Sequence, residues 1–496
     1  MKAENILPKE PALPVMSLRE RVLEGVFLDG VFWVILVKIF GQVISWTITI
    51  YVVRILSPSD YGLMAMAGVY LSFIMLFNEA GLGSAIIQKK DITREDLSNI
   101  CWAVILINAI LYGLSVLSAP LIAAFFSEPR LTDVIRATSI VFIIHGLGLV
   151  SYHMLTREMV FNRRSQAEMI GNLLGAASTL WLAVHGFGVW SLVWGSIIVE
   201  VVRNLLFFLF YPWTLSFAFS FSKIKEMTQF GSKVALARFF WYLYSNMDLM
   251  IAGKILGKTQ LGFYSIAVQF SSIPLDKVVA TISQVSFPIF SAIQDDHVLL
   301  KRYFLNIVKF VAFVSFPAFL GIFVIAESAV PFFLSAKWIP ATLPLQVLCM
   351  VATFRAINTM NAPLVLAVGR PEILVLNNVI MAVVLGLSFF IGSHYGLTGF
   401  AYAWLIFPAV FLITTSISLR LVGLPLVEYF KEVRHPFLGT GFMAMAVLLA
   451  QKIVLADLGL AANTAGSAAL GIAAYFLYYL LFNREMFAEA KEMLKR

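Results

Sequence analysis

Arg54-Ile55-Leu56-Ser57-Pro58-Ser59-Asp60-Tyr61-Gly62 closes one long apolar run and opens the next. Two hundred residues later Lys254-Ile255-Leu256, followed by Gly262, does the same. The register holds around these stretches without a gap: residues 30–70 laid on 230–270 give eight identities in 41 positions. Phe40 falls on Phe240, Ala67 on Ala267, and Lys38 on the equally cationic Arg238. Farther on, Arg164 and Asn172 fall on Arg370 and Asn378 at an offset of 206. The loop Gly186-Phe187-Gly188-Val189-Trp190 likewise matches Gly396-Leu397-Thr398-Gly399-Phe400 in character. These matches indicate a duplicated chain. An even number of spans in each copy gives both halves the same orientation, related by an axis along the membrane normal.

Composition fixes the solvent. Of 496 residues, 60% are hydrophobic and 13% charged, and the mean hydropathy is +0.88. Soluble domains carry roughly 25% charged residues, so most of this surface faces lipid. The apolar runs reach roughly 20 residues, the length of a helix crossing the bilayer, which excludes a barrel of short alternating strands. The fold class expected is an all-α polytopic membrane protein of about fourteen helices. An N-terminal tail (1–29) precedes helices 1–6 (30–211) and a linker (212–226). Helices 7–12 (227–422), helices 13 and 14 (423–483) and a C-terminal tail (484–496) follow. Within this scheme the ninth span is 301–326 and the thirteenth 436–456.

The net charge of +8 reflects orientation rather than nucleic-acid binding. Lys89, Lys90 and Arg94, then Arg157, Arg163 and Arg164, then Lys301 and Arg302, Arg370, Arg420 and Lys431 recur on alternate loops. The other loops hold only Arg130, Lys258 and Lys337. The positive-inside rule then puts both termini of a multi-pass membrane protein in the cytoplasm. Cys101 and Cys349 lie within apolar spans, so neither a disulfide framework nor a metal-binding spacing is available.

A charge at the centre of a membrane helix costs about 2.5–3.5 kcal/mol and calls for a reason. Lys38 lies about eight residues into the first span, roughly 12 Å from its inner end at 1.5 Å per residue. Arg238 is its repeat mate at equal depth, and the pair suits an anion held between the halves. Lys277, Lys309 and Arg355 add to the same field, with Trp241 and Tyr242 offering rings beside Arg238. These seven are the candidate substrate-binding residues. Glu79, Asp248 and Asp276 are candidates for coupling to H+ or Na+, because burial favours protonation while a nearby cation opposes it. Asp276 follows Pro274, which kinks its helix and frees backbone carbonyls. Glu200 and Arg203, three apart on one helix, are expected to pair. Arg54 and Lys254 near helix ends are expected to snorkel to the interface. Aromatic belts at the interface compete with sugar stacking as the role of Trp33 and Trp46.

No His-Glu-x-x-His, Walker A or G-x-S-x-G pattern occurs, and the six histidines are scattered. No catalytic residue, metal or bound cofactor is expected, and no large outer loop is available to hold the parts of a glycan polymerase.

Leu56-Ser57-Pro58-Ser59-Asp60-Tyr61-Gly62-Leu63 and Glu79-Ala80-Gly81-Leu82-Gly83-Ser84-Ala85-Ile86-Ile87-Gln88 resemble the signature of bacterial polysaccharide transporters. Arg157-Glu158-Met159-Val160-Phe161-Asn162-Arg163-Arg164 and Gly186-Phe187-Gly188-Val189-Trp190-Ser191-Leu192-Val193 are similar to that family too. These are the Wzx-type flippases, relatives of the MATE-type exporters and the peptidoglycan-precursor flippase. The resemblance implies two six-helix lobes forming a V that opens alternately to either side. It implies an undecaprenyl-pyrophosphate-linked oligosaccharide as cargo, with membrane lipid and a polysaccharide polymerase and co-polymerase as partners. It also implies a cationic cavity, which Lys38 and Arg238 supply here. The rivals are a MATE-like multidrug or cation antiporter, which calls for an acid-rich cavity, and a membrane glycan polymerase.

Overall fold

The computed structural model describes residues 41–78, 82–89, 91–216, 221–455 and 458–483, with backbone alone at 84, 85, 88, 221–241 and 244. Every element among the described residues is helical. The first half comprises α1 (41–55), α2 (Pro58–Met75), α3 (Leu82–Gln88), α4 (Arg94–Phe126), α5 (Leu131–Thr138), α6 (Ile140–Arg157), α7 (Phe161–Val184) and α8 (Val189–Phe210). The second half begins with α9 (Phe221–Pro274), α10 (Ala280–Ala292), α11 (His297–Leu334) and α12 (Thr342–Asn358). It continues with α13 (Asn361–Ala367), α14 (Pro371–Ser393), α15 (Gly396–Tyr402) and α16 (Phe407–Arg420). Two last helices, α17 (Leu426–Ile453) and α18 (Leu460–Phe482), close the described chain.

Ten helical segments are long and apolar enough to span a bilayer among the described residues. The remaining expected spans fall on α1, α2 and the two arms of α9, the second arm continuing into α10. Helix ends differ from the sequence reading where polar residues sit on helical turns. α11 runs on to Leu334 rather than stopping at 326, and α17 starts at Leu426 rather than 436. Paired half-helices also make single spans, as where Leu131–Arg157 is broken at Ser139 between α5 and α6.

The turn quoted first is built from its own sequence. Ser57 N-caps α2, its hydroxyl accepting from the Asp60 amide while Asp60 reaches back to the Ser57 amide, and Pro58 sits in the first turn. This capping box satisfies orphan amides that lipid would leave bare. The equivalent turn in α9 is a single glycine, Gly257, at φ +77° and ψ 174°. Along a continuous helix, Asp248 and Tyr264 would stand about 24 Å apart at 1.5 Å per residue. Their side chains instead meet at 2.7 Å, so the chain doubles back at Gly257. After Pro274 the helix relaxes into a π-helical turn over Leu275–Val279, the local consequence of the missing amide.

One continuous apolar core joins α2, α4, α5 and α8 of the first half to α9–α16 of the second, and reaches the start of α17. α17 and α18 pack on α11 and on each other. There the Tyr475 hydroxyl donates to the Phe313 carbonyl at 2.8 Å and Thr464 bonds Ser328 at 3.0 Å.

Candidate functional site

The halves meet along α2, the end of α4 and both arms of α9, at the face carrying the 57–60 turn. Gly62 packs against the backbone of Lys258, where an added Cβ would lie 1.7 Å from its carbonyl oxygen. Gly262 packs the same way on Pro58, at 1.8 Å from its carbonyl. Both glycines are required by this close approach, and each stands opposite the repeat mate of the other's partner.

Cations reinforce the seam with the same symmetry. The last carbonyls of a helix lack intrahelical partners and carry the negative end of its dipole. Arg54 of α1 donates to the Phe332 carbonyl in the last turn of α11 at 2.6 Å. Lys254 of α9 donates to the Phe125 carbonyl in the last turn of α4 at 2.5 Å. Each half thus caps a helix of the other. Snorkelling alone does not describe these two residues, because their heads are bound to protein. Three further contacts cross the seam. Lys258 pairs with Glu128 at 2.7 Å, Lys337 donates to the Arg54 carbonyl at 2.5 Å, and the Trp338 indole donates to the Val53 carbonyl at 2.9 Å.

A second polar cluster lies inside the second half. Asp248 is 6% exposed, and one carboxylate oxygen accepts from the Tyr264 hydroxyl at 2.7 Å. Its other oxygen accepts from the Leu249 amide at 2.8 Å. Trp404 donates to the same tyrosine hydroxyl at 2.6 Å, and the Arg355 guanidinium stacks 5.2 Å above the Trp404 ring. Phe389 and Phe400 wall the chain in. A carboxylate so placed is desolvated, held by two donors, and connected through two rings to one cation. That is a setting in which gain or loss of a single charge acts strongly on packing.

The candidates from sequence fall in several places. Lys38 and Glu79 lie outside the described residues, and Arg238 and Trp241 lie on the α9 backbone with side chains outside them. Tyr242 is buried, its hydroxyl donating to the Val69 carbonyl of α2 and its ring 5.6 Å from Phe73, so it crosses between the halves. Asp248 and Arg355 are brought into one chain of contacts. Asp276 and Lys277 are exposed on the π-helical turn after Pro274. Lys309 lies on α11 within electrostatic reach of His435 in α17. Glu200 and Arg203 pair on α8 as expected. Sequence reasoning missed Tyr264, Trp404 and Glu128. It also missed Glu327, which the extension of α11 places inside a membrane helix.

These features define a class: an all-helical, multi-pass membrane protein whose two halves are joined along α2 and α9. The family described as "Polysaccharide biosynthesis protein" matches residues 51–343, and the chain belongs to that family. Teichuronic acid biosynthesis protein TuaB of Bacillus subtilis (strain 168) is 28% identical, covering 86% of this chain and 88% of its own. Lipopolysaccharide biosynthesis protein WzxC of Escherichia coli (strain K12) is 26% identical over 72% of each. Among solved structures the fold is similar to lipid II flippase MurJ in an inward closed conformation. The TM-score is 0.73 at 16% identity, covering 92% of this chain and all (100%) of that one.

Proposed function

We propose that the protein is a flippase that carries polyprenyl-pyrophosphate-linked oligosaccharide repeat units across the inner membrane for polysaccharide biosynthesis. Membership of a polysaccharide biosynthesis family supports the cargo class. Relatives named for teichuronic acid and lipopolysaccharide biosynthesis support it further. The observation that carries the transport reading is the reciprocal seam: two halves that cap each other's helices at one face form a closure that can open as a unit.

The distribution of loop charges supports a periplasmic seam and cytoplasmic termini. The pyrophosphate and glycan enter between the halves while the polyprenyl tail stays in lipid. Lys38 and Arg238, aided by Lys277, Lys309 and Arg355, hold the anion, and Trp241 and Tyr242 border it. They hold it comparably in both states, since a ligand bound much more tightly by one state would trap that state. Asp248 is the favoured coupling group, with Glu79 and Asp276 as further candidates. Exchange of H+ or Na+ at its carboxylate alters a charge in a desolvated core and so biases how α9 packs. A polymerase and co-polymerase would receive the repeat unit on the far side.

Deletion of the gene followed by analysis of cell lipids tests the reading. Completed lipid-linked repeats should accumulate on the cytoplasmic face and polysaccharide should be lost. Normal polysaccharide in the deletion strain overturns it, and single repeats accumulating on the outer face would point to a polymerase.

A further inference from the structure

A cavity of about 790 Å³ opens in the second half, directly behind the seam. It falls within the roughly 300–1,000 Å³ range of small-molecule sites. Its walls come from the second arm of α9, the end of α11, the start of α12 and α15. The lining includes Glu327, Gln260, Gln346, Thr342, Thr398 and Phe263. Glu327 lies seven residues before Leu334, the last residue of α11. That is about 10 Å in from the helix end at 1.5 Å per residue. Exposed on the cavity wall, the Glu327 carboxylate is open to water or to a ligand.

Among the described residues Glu327 is the one charged side chain in the lining. Glu327 is exposed at the cavity wall, and the Gln260 carboxamide oxygen is buried without a hydrogen-bond partner among the described residues. The Gln346 amide is already engaged, donating to the Phe323 carbonyl at 3.3 Å. Among the described residues no lysine, arginine or histidine lines the cavity. The cavity therefore carries one negative charge that no lining cation offsets; it suits a ligand bringing hydroxyl or ammonium donors, and its carboxylate repels phosphates and acid sugars. The Phe263 ring and the neighbouring proline and leucine side chains supply the apolar patch on which a sugar ring lies.

From these groups we infer a second saccharide site, specific for a glycosyl unit that carries hydroxyl or ammonium donors and no acid group. It deepens the flippase reading by giving the glycan a place apart from the pyrophosphate. The site is also tied to the seam. Phe263 packs edge-on against Trp338 at 5.8 Å, and Trp338 donates across to Val53. Pro331 of the lining precedes Phe332, whose carbonyl accepts Arg54. A sugar lodged there presses on the elements that close this face.

The test is binding by the full-length purified protein in nanodiscs, read by saturation-transfer NMR with glucose, glucosamine, glucuronate and tetramethylammonium as probes. Glucose and glucosamine should bind and glucuronate should not. The isosteric E327Q variant should weaken glucosamine about tenfold, the loss of one charge-assisted hydrogen bond. It should also relax the exclusion of glucuronate, and T398V should weaken glucose without touching the charge. The assignment is overturned if no sugar binds, if glucuronate binds as well as glucose, or if tetramethylammonium matches glucosamine. Indifference of binding to both variants overturns it too. Binding is read without transport, so it can stand while the deletion phenotype fails, and the reverse.

Discussion

Gly62 and Gly262 make one contact twice: each lies against the repeat mate of the residue the other contacts, Gly62 on Lys258 and Gly262 on Pro58. Two residues that coincide under a shift of 200 positions thereby meet around a local two-fold axis. An alanine at either position would place Cβ within 1.8 Å of a carbonyl oxygen, so the backbones must separate. Overpacking of this kind costs about 1–3 kcal/mol. G62A and G262A should each favour opening of this face, read as faster maleimide labelling of a cysteine introduced at Val53. Unchanged labelling in both variants would mean the seam does not govern access.

The caps exchanged between the halves give a second expectation. A cation at a helix C-terminus contributes about 0.3–1 kcal/mol when exposed, as Arg54 and Lys254 are. R54M and K254M should have small separate effects. The double variant should shift the closed population by up to about thirtyfold, the sum of two such terms. Spin labels on α1 and α11 would report the shift as a longer distance component. Charge reversal at Lys258, paired with Glu128, should be rescued by the complementary reversal at Glu128.

Asp248 separates stability from coupling. D248A leaves the Tyr264 hydroxyl without its acceptor in an apolar core, at a cost of about 1–3 kcal/mol, visible as a lower melting temperature. D248N keeps the shape and an acceptor for Tyr264 while removing the charge. Its NH2 then faces the Leu249 amide, so it should lose about 1 kcal/mol of stability yet still fold, and it should lose the response of transport to an imposed H+ or Na+ gradient. A D248N protein that retains the full gradient response would exclude this carboxylate from coupling.

Much of the fold was legible because lipid imposes a simple rule: a spanning helix must be apolar for its whole length. The duplication was legible where glycine and cation positions coincide, as at Gly62 and Gly262. What escaped was what those cations touch. Arg54 and Lys254 bind main-chain carbonyls at Phe332 and Phe125, and a carbonyl leaves no signature in the residue type. Asp248 stood out as a charge in an apolar run, but Tyr264 and Trp404 read as ordinary core aromatics, and only the reversal at Gly257 brings them to it. Glu327 was missed for a different reason. Ending the ninth span at 326 put it in a loop, whereas the helix continues through it. A search for charges one turn beyond each apolar run would have found it.

Lys38 and Arg238 carry the anion-binding part of the proposal. K38A combined with R238A should abolish polysaccharide export while the protein remains in the membrane at normal abundance. Full export by the double variant would move the pyrophosphate site elsewhere.

The central claim is movement of a lipid-linked glycan, and reconstitution measures it most directly. Purified protein is placed in vesicles containing a fluorescent polyprenyl-pyrophosphate oligosaccharide in both leaflets, and an external glycosidase is added. The account predicts that the protected inner-leaflet fraction becomes accessible with the wild-type protein and stays protected with K38A/R238A. A protected fraction identical to that of protein-free vesicles would contradict it.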